Sequence, residues 1–204
     1  MSNEIWQDFV RQLSEQGIRF APGLTDGEVS RVQERHSFLF PLDLREFLQT
    51  GLPQGEQFPD WRLGTESALR EWLNVPRAGV LFDVEHNEFW LPEWGPRPGD
   101  LASALRFVGE LVSAAPKLIP IYGHRMMPDE PQSEGNPVFS VHQTDIIYYG
   151  FNLADYLRHE FNLPGREPWP AKIQSIRFWD IDLFQDVRWA KGPCVFDNRR
   201  GILP

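Results

Sequence analysis

Several features of common protein classes are missing from this sequence. Its 204 residues include one cysteine, Cys194, so no intramolecular disulfide can form and the paired-cysteine framework of small secreted domains is absent. The first residues have neither the basic nor the apolar region of a signal peptide. The longest mostly apolar region, Leu101–Tyr122, is interrupted by Arg106, Glu110 and Lys117, whereas a membrane span needs about 20 mostly apolar residues. We therefore expect a cytoplasmic protein that does not bind a membrane.

Positive charge is also scarce. The chain has 20 basic residues against 29 acidic ones, which gives a formal net charge of −9. Proteins that bind nucleic acid usually carry a basic field, because contacts with phosphate supply much of their affinity. We therefore expect no nucleic-acid partner, whereas a basic protein partner suits this charge.

The sequence motifs of the common catalytic classes are absent as well. The chain has no glycine-rich phosphate loop, no H-E-x-x-H pair and no G-x-S-x-G elbow. His124, His142, Asp145 and His159 are of residue types that bind zinc, but their spacing matches no metal motif. Cys194 has no histidine nearby and is interpreted as an incidental thiol. We predict no metal, no cofactor and no enzymatic activity.

Large aromatic residues, in contrast, are plentiful. Eight Trp and fifteen Phe occur in a chain long enough for a substantial core. The sequence predicts one domain over residues 1–190 and a tail rich in Gly, Pro and Arg over residues 191–204.

Helical periodicity recurs through both halves of the chain. Thr25 and Glu28 have the spacing of a capping box, and Asp100 and Asn152 are candidate N-caps of later helices. The predicted helices span residues 3–16, 26–36, 42–49, 65–73, 100–115 and 153–161, and a closing helix is favoured over residues 171–189.

Short runs of β-forming residues predict the strands. Pro137–His142 and Asp145–Tyr149 are separated by two residues only, Gln143 and Thr144, which predicts a β-hairpin. Further strands are predicted over residues 79–83, 89–91 and 118–122, with a loop between Tyr122 and Pro137. Together these elements indicate an α+β fold, in which a central, mostly antiparallel sheet is surrounded by helices.

The segment GLTDGEVSRVQERHSFLFPLDLREFLQTG, followed by Trp61, resembles the opening of the SMI1/KNR4 family, also called the SUKH superfamily. The acidic position of that pattern matches either Glu28 or Glu34. The resemblance continues through FDVEHNEFWLPEWGPRP and is most specific over residues 118–128 and 135–150. Met126 and His142 depart from it, because an aromatic residue is expected at both places.

This resemblance implies an α+β protein-binding domain. Bacterial members of the family are often immunity proteins that neutralise a cognate toxin, and fungal relatives act as regulatory scaffolds. We therefore expect a non-catalytic domain that binds a protein, with toxin immunity as the first hypothesis and a regulatory interaction module without a toxin as the alternative. A small-ligand binder or an enzyme is a further alternative.

Trp, Tyr and Arg are common at interface hot spots, and loops often carry binding residues. Arg125 is the leading candidate, because it falls in a predicted loop where packing gives little reason for an arginine. The full set of candidate partner-binding residues is Trp61, Trp94, His124, Arg125, Asn136, Gln143, Asp145 and Tyr148.

Overall fold

A computed structural model describes residues 3–179 and has the predicted α+β class. The helices are α1 (Asn3–Glu15), α2 (Asp26–His36), α3 (Leu42–Thr50), α4 (Glu66–His86), α5 (Leu101–Ser113) and α6 (Leu153–Glu160). The strands are β1 (Arg19–Pro22), β2 (Gly51–Gln54), β3 (Leu118–Tyr122), β4 (Arg125–Pro128), β5 (Val138–His142) and β6 (Asp145–Gly150). Within residues 3–179, no helix is both long and apolar enough to cross a membrane.

The predicted helix starts are confirmed at the level of single hydrogen bonds. Thr25 and Glu28 form a capping box, in which each residue's backbone N–H donates to the other's side chain. The side chains of Asp100 and Asn152 accept from the backbone N–H groups of the first turns of α5 and α6. These bonds satisfy N–H groups that have no partner inside a helix.

The larger sheet has the order β3-β4-β5-β6, and every neighbouring pair is antiparallel. The predicted hairpin is confirmed, because β5 and β6 pair from His142↔Asp145 outward and Gln143–Thr144 form the turn. Gln143 has a φ of 55°, which places it in the left-handed region. A second sheet pairs β1 with β2, inside the N-terminal half.

The loop predicted between Tyr122 and Pro137 is shorter than expected. Arg125–Pro128 form strand β4, which pairs with β3 through Ile119↔Met127 and with β5 through Arg125↔Ser140. Its side chains are all buried, so tertiary packing outweighs the turn-forming residues on either side of it.

The strands predicted over residues 79–83 and 89–91 are wrong. Helix α4 continues through Pro76 as far as His86, and residues 89–91 lead into a short 3-10 turn over Pro92–Trp94. Val80 and Val84 are four residues apart and both fully buried, so this apolar run follows helical spacing. The central sheet therefore lacks residues 79–91.

The predicted closing helix over residues 171–189 is absent from residues 171–179, the part of this range that the structure describes. Residues 171–179 are irregular, although Ile176 and Trp179 are buried. The Trp179 indole N–H donates to the carbonyl of Pro116 at 2.7 Å. Residues 180–189 and the predicted tail lie outside the described residues.

The larger sheet separates two hydrophobic cores. Ile119, Ile121, Met127 and Val138 face a core built with α1, α2, α3 and α6, which we call the first core. The residues that alternate with them face the second core, built with α4 and α5: Leu118, Met126, Phe139, Val141 and Ile146.

Candidate binding surface

One face of the larger sheet points to the first core, and at the hairpin end this face is not fully covered. Ser140 pairs with Ile147, and His142 pairs with Asp145, so these four side chains lie on the same face as Arg125. Ser140 and Ile147 are half-buried, whereas His142 and Asp145 are exposed. His124 joins them, because its carbonyl accepts from the Val141 N–H at 2.9 Å. We call His124, Ser140, His142, Gln143, Asp145 and Ile147 the hairpin surface.

Arg125 lies beneath this surface and connects three elements. Its Nε donates to Glu160 Oε2 of α6 at 3.1 Å, and its Nη1 donates to Ser140 Oγ of β5 at 2.7 Å. Its guanidinium carbon is 3.7 Å from the ring centroid of Tyr149 on β6. Only 9% of the residue is exposed. The expectation that packing gives little reason for this arginine is wrong, because the guanidinium joins α6 to two strands.

Tyr149 is held from both sides. Arg125 covers one part of the ring, and the imidazole of His159 stacks on it at a centroid distance of 4.6 Å. His159 Nδ1 also donates to the Tyr149 carbonyl at 3.2 Å. The neighbouring Tyr156 is fully buried, and desolvation raises the pKa of its hydroxyl well above the usual value. Burial therefore keeps the Tyr156 hydroxyl protonated, and the Tyr149 ring beside it is held between Arg125 and His159.

His124 is exposed at the rim of the surface, and its Nε2 contacts Arg125 Nη1. Desolvation lowers the pKa of the imidazole, and the positive charge of Arg125 lowers it further, whereas Glu160 acts in the opposite direction. Both lowering effects favour the neutral form, so near neutral pH the ring offers a hydrogen-bonding group without adding charge.

The turn of the hairpin is fixed to α4. The carboxylate of Asp83 is buried, and its Oδ2 accepts from both the backbone N–H and the hydroxyl of Thr144. Gly79 allows the close approach, since a Cβ at this position would lie 2.7 Å from the Cα of Gln143. Phe82 lies one turn beyond Gly79 on the same helix face and is 45% exposed. The exposed ring of Phe82 packs on His86 at a centroid distance of 4.5 Å, on the helix to which the turn is fixed.

Four of the eight predicted site residues come together here: His124, Arg125, Gln143 and Asp145. The other four do not. Trp94 is half-buried at the edge of the second core, and Tyr148 faces that core, stacked on Phe139 at 5.3 Å.

The prediction that Trp61 and Asn136 bind a partner is wrong, because both side chains are buried in the interior. Trp61 is 3% exposed and packs edge-on against Phe40 at a centroid distance of 5.1 Å. Asn136 is fully buried, and its amide donates to the carbonyls of Pro128 and Pro131. Their roles in this structure are to fill the first core and to hold a loop together.

The predicted set leaves out three residues of the hairpin surface itself, Ser140, His142 and Ile147. It also leaves out three residues that adjoin or support the surface: Phe82, Glu160 and Tyr149. Phe82 was assigned to a strand, which concealed its position on a helix beside the hairpin. Glu160 is far from Arg125 in sequence, and nothing in the local pattern connects them. Tyr149 and Tyr148 are adjacent, and only the strand register shows which of them faces Arg125.

The arrangement is suited to recognition. Its rim offers hydrogen-bonding groups on His124, His142 and Asp145, and the helix that holds the turn exposes the Phe82 ring. Within residues 3–179, no three His, Cys, Asp or Glu side chains are grouped closely enough to hold a metal ion. No match to this chain is found among protein-family models, curated proteins or solved structures.

Proposed function

We propose that this chain is a non-catalytic protein-binding domain that engages its partner through the hairpin surface, and that it is an immunity-type protein which neutralises a toxin. The observation that carries the proposal is the partly open end of the sheet face, whose half-buried side chains and turn are held from below. Arg125 fixes Ser140 and Tyr149, and Asp83 fixes the turn.

Rigidity is the physical reason why such a surface suits binding. Ordering each flexible side chain at an interface costs about 0.5–1.5 kcal/mol, and a surface that is already ordered avoids much of this cost. Phe82 is of a residue class enriched at interfaces, and it is exposed on the helix that holds the turn of the hairpin.

Charge indicates the kind of partner. With a net charge of −9, the chain attracts basic proteins, and complementary fields speed their association. A basic toxin has this property. The mechanism would be occlusion of the toxin's working surface, with no chemical step. The resemblance of the sequence to the SMI1/KNR4 family is the reason for proposing immunity as the biological role.

The test compares two variants of equal severity as baits in a lysate of the source organism. Phe82→Ser with His142→Ser removes two exposed side chains at the hairpin, whereas Leu63→Ser with Leu101→Ser removes two exposed side chains elsewhere. We expect the wild type and the Leu63/Leu101 variant to retain the same basic protein. We expect the Phe82/His142 variant to bind it at least about tenfold more weakly, since loss of one hot spot costs about 2 kcal/mol or more.

Co-expression then separates immunity from regulation. If the retained protein stops growth when expressed alone, and the wild-type chain restores growth but the Phe82/His142 variant does not, immunity is supported. A retained protein without toxicity supports the regulatory module instead. Equal retention by both variants would refute the hairpin surface as the binding site.

A further inference from the structure

A groove lies between α2 and the segment that follows β4. It has a volume of about 560 Å³ and is open to solvent. Its lining contains three carboxylates, those of Glu34, Asp129 and Glu130, and no basic side chain. Apolar surface comes from Phe38, which is nearly buried, and from Leu39, which is 51% exposed.

The carboxylate of Asp129 has an unused acceptor in this groove. The residue is 9% exposed, and its Oδ1 accepts from the Lys117 backbone N–H at 2.7 Å. Within residues 3–179, no hydrogen-bond donor contacts its Oδ2. This oxygen is therefore open to the groove, where a donor of a bound molecule can reach it.

The other charges nearby do not satisfy these acids. Glu34 has no ion-pair partner within residues 3–179. Glu130 is 3.8 Å from Arg177, but both side chains are about two-thirds exposed, so this pair contributes little. The ammonium group of Lys117 donates to the carbonyls of His36 and Ser37 at the end of α2.

We propose that this groove receives an arginine side chain of a basic protein partner. Arginine has an apolar stem that can lie along Phe38 and Leu39, and a planar head with five N–H donors that can reach more than one carboxylate. A metal ion fits less well, because no three metal-binding side chains are grouped closely enough within residues 3–179. The inference rests on the proposed function only in taking a protein as the source of the arginine.

The experiment needs no partner protein. Nα-acetyl-arginine amide is titrated into the 15N-labelled chain at pH 7.5, where the Asp129 carboxyl is ionised, because burial raises its pKa to about 6 only. The uncharged isostere Nα-acetyl-citrulline amide is titrated in parallel. We expect saturable amide shifts over residues 33–39 and 129–132 with the arginine probe and not with the citrulline probe.

Two variants with the same change in net charge sharpen the test. Glu34→Gln with Asp129→Asn removes two groove carboxylates, and Glu4→Gln with Glu93→Gln removes two exposed carboxylates elsewhere. We expect the groove variant to weaken the arginine probe by about tenfold or more, the usual effect of losing a charged hydrogen bond, and the second variant to leave its affinity unchanged. Equal binding by both variants, or equal binding of both probes, would overturn the proposal.

The outcomes also distinguish this inference from the proposed function. A groove that ignores the arginine probe refutes this site, while hairpin-dependent capture of a basic protein would still stand. A groove that binds the probe, in a chain that retains no basic protein from the lysate, keeps the ligand chemistry and refutes a protein as its source.

Discussion

Replacing Arg125 by alanine is expected to destabilise the fold, because the arginine supports the site from within. The change removes the hydrogen bond to Glu160, the bond to Ser140 and the contact with the Tyr149 ring. A hydrogen bond to a charged group contributes about 1.5–3 kcal/mol, and a cation–π contact adds about 0.5–2 kcal/mol. The side chains of Arg125 and Glu160 are only 11% and 19% exposed, so solvent screens the pair weakly.

We therefore expect Arg125→Ala to lower the free energy of unfolding by about 3 kcal/mol. In a chain of this length that loss lowers Tm by about 6–12 °C. Urea denaturation measures the first quantity and calorimetry the second. Arg70→Ala is the control, because the Arg70–Glu66 pair is 68% and 48% exposed and should contribute under about 1 kcal/mol.

A double-mutant cycle with Glu160→Gln isolates the ion pair. Since the two groups are in contact, we expect their effects to be non-additive by more than about 0.5 kcal/mol. The reasoning is refuted if Arg125→Ala costs no more than Arg70→Ala, or if the two changes add within error. If the variant is destabilised as expected, any loss of partner binding in it cannot be assigned to direct contact, which is why Phe82 and His142 serve to test the surface.

Two further predictions concern stability alone. Burial raises the Asp129 pKa from its ordinary value near 4 to about 6, so the stability that the protonated carboxyl allows is lost as the pH rises from about 4 through about 6. Asp129→Asn should abolish that loss, so in urea denaturation at pH 7 its free energy of unfolding should exceed that of the wild type by about 2–3 kcal/mol. A difference between variant and wild type that is the same at pH 4 and at pH 7 would contradict this prediction. Gly79→Ala should destabilise the chain, although Gly→Ala in a helix usually stabilises by about 1 kcal/mol, because the new Cβ would meet the Gln143 backbone. Gly109→Ala is its matched control, since the Cβ there meets only the flexible end of Arg77 and should be neutral or stabilising; the same sign for both variants would refute the argument.

Local sequence signals were sufficient to predict the elements whose ends are fixed by neighbouring residues. The capping box of Thr25 and Glu28, the N-caps Asp100 and Asn152, and the two-residue turn at Gln143 are all present. Each of these features is formed by residues within a few positions of one another, so the sequence pattern contains all the information that is needed.

Elements whose identity depends on distant partners could not be predicted in this way. The run Gly79–Asp83 is short and apolar, and such a run does not distinguish a strand from a buried helix. Its place in α4 depends on packing against α5, and Pro76 inside the helix obscured the pattern further. Arg125–Pro128 became a strand because β3 and β5 pair with it on both sides.

The same limit applies to the site. Sequence reasoning selected Arg125 as an exposed loop residue, whereas its partners Glu160 and Ser140 lie 35 and 15 positions away and turn it into a buried support. Trp61 was selected for its residue type, which is common at interfaces and equally common in cores. The hairpin residues Gln143 and Asp145 were selected from a turn signal, and turns lie at surfaces for the general reason that buried loops leave backbone groups unpaired.

The open end of the sheet follows from the dimensions of its cover. Helix α6 has eight residues and is about 12 Å long, whereas the six residues of β6 extend about 20 Å. The helix packs closely at Gly150, where a Cβ would lie 2.6 Å from the Cβ of Tyr156, so its contact begins at the end of β6 that is far from the turn. Glu160 ends the helix and binds Arg125, so a charged pair replaces apolar contact at the point where the cover stops. Beyond that pair the face is only partly covered, and the half-buried Ser140 and Ile147 lead there to the exposed His142 and Asp145.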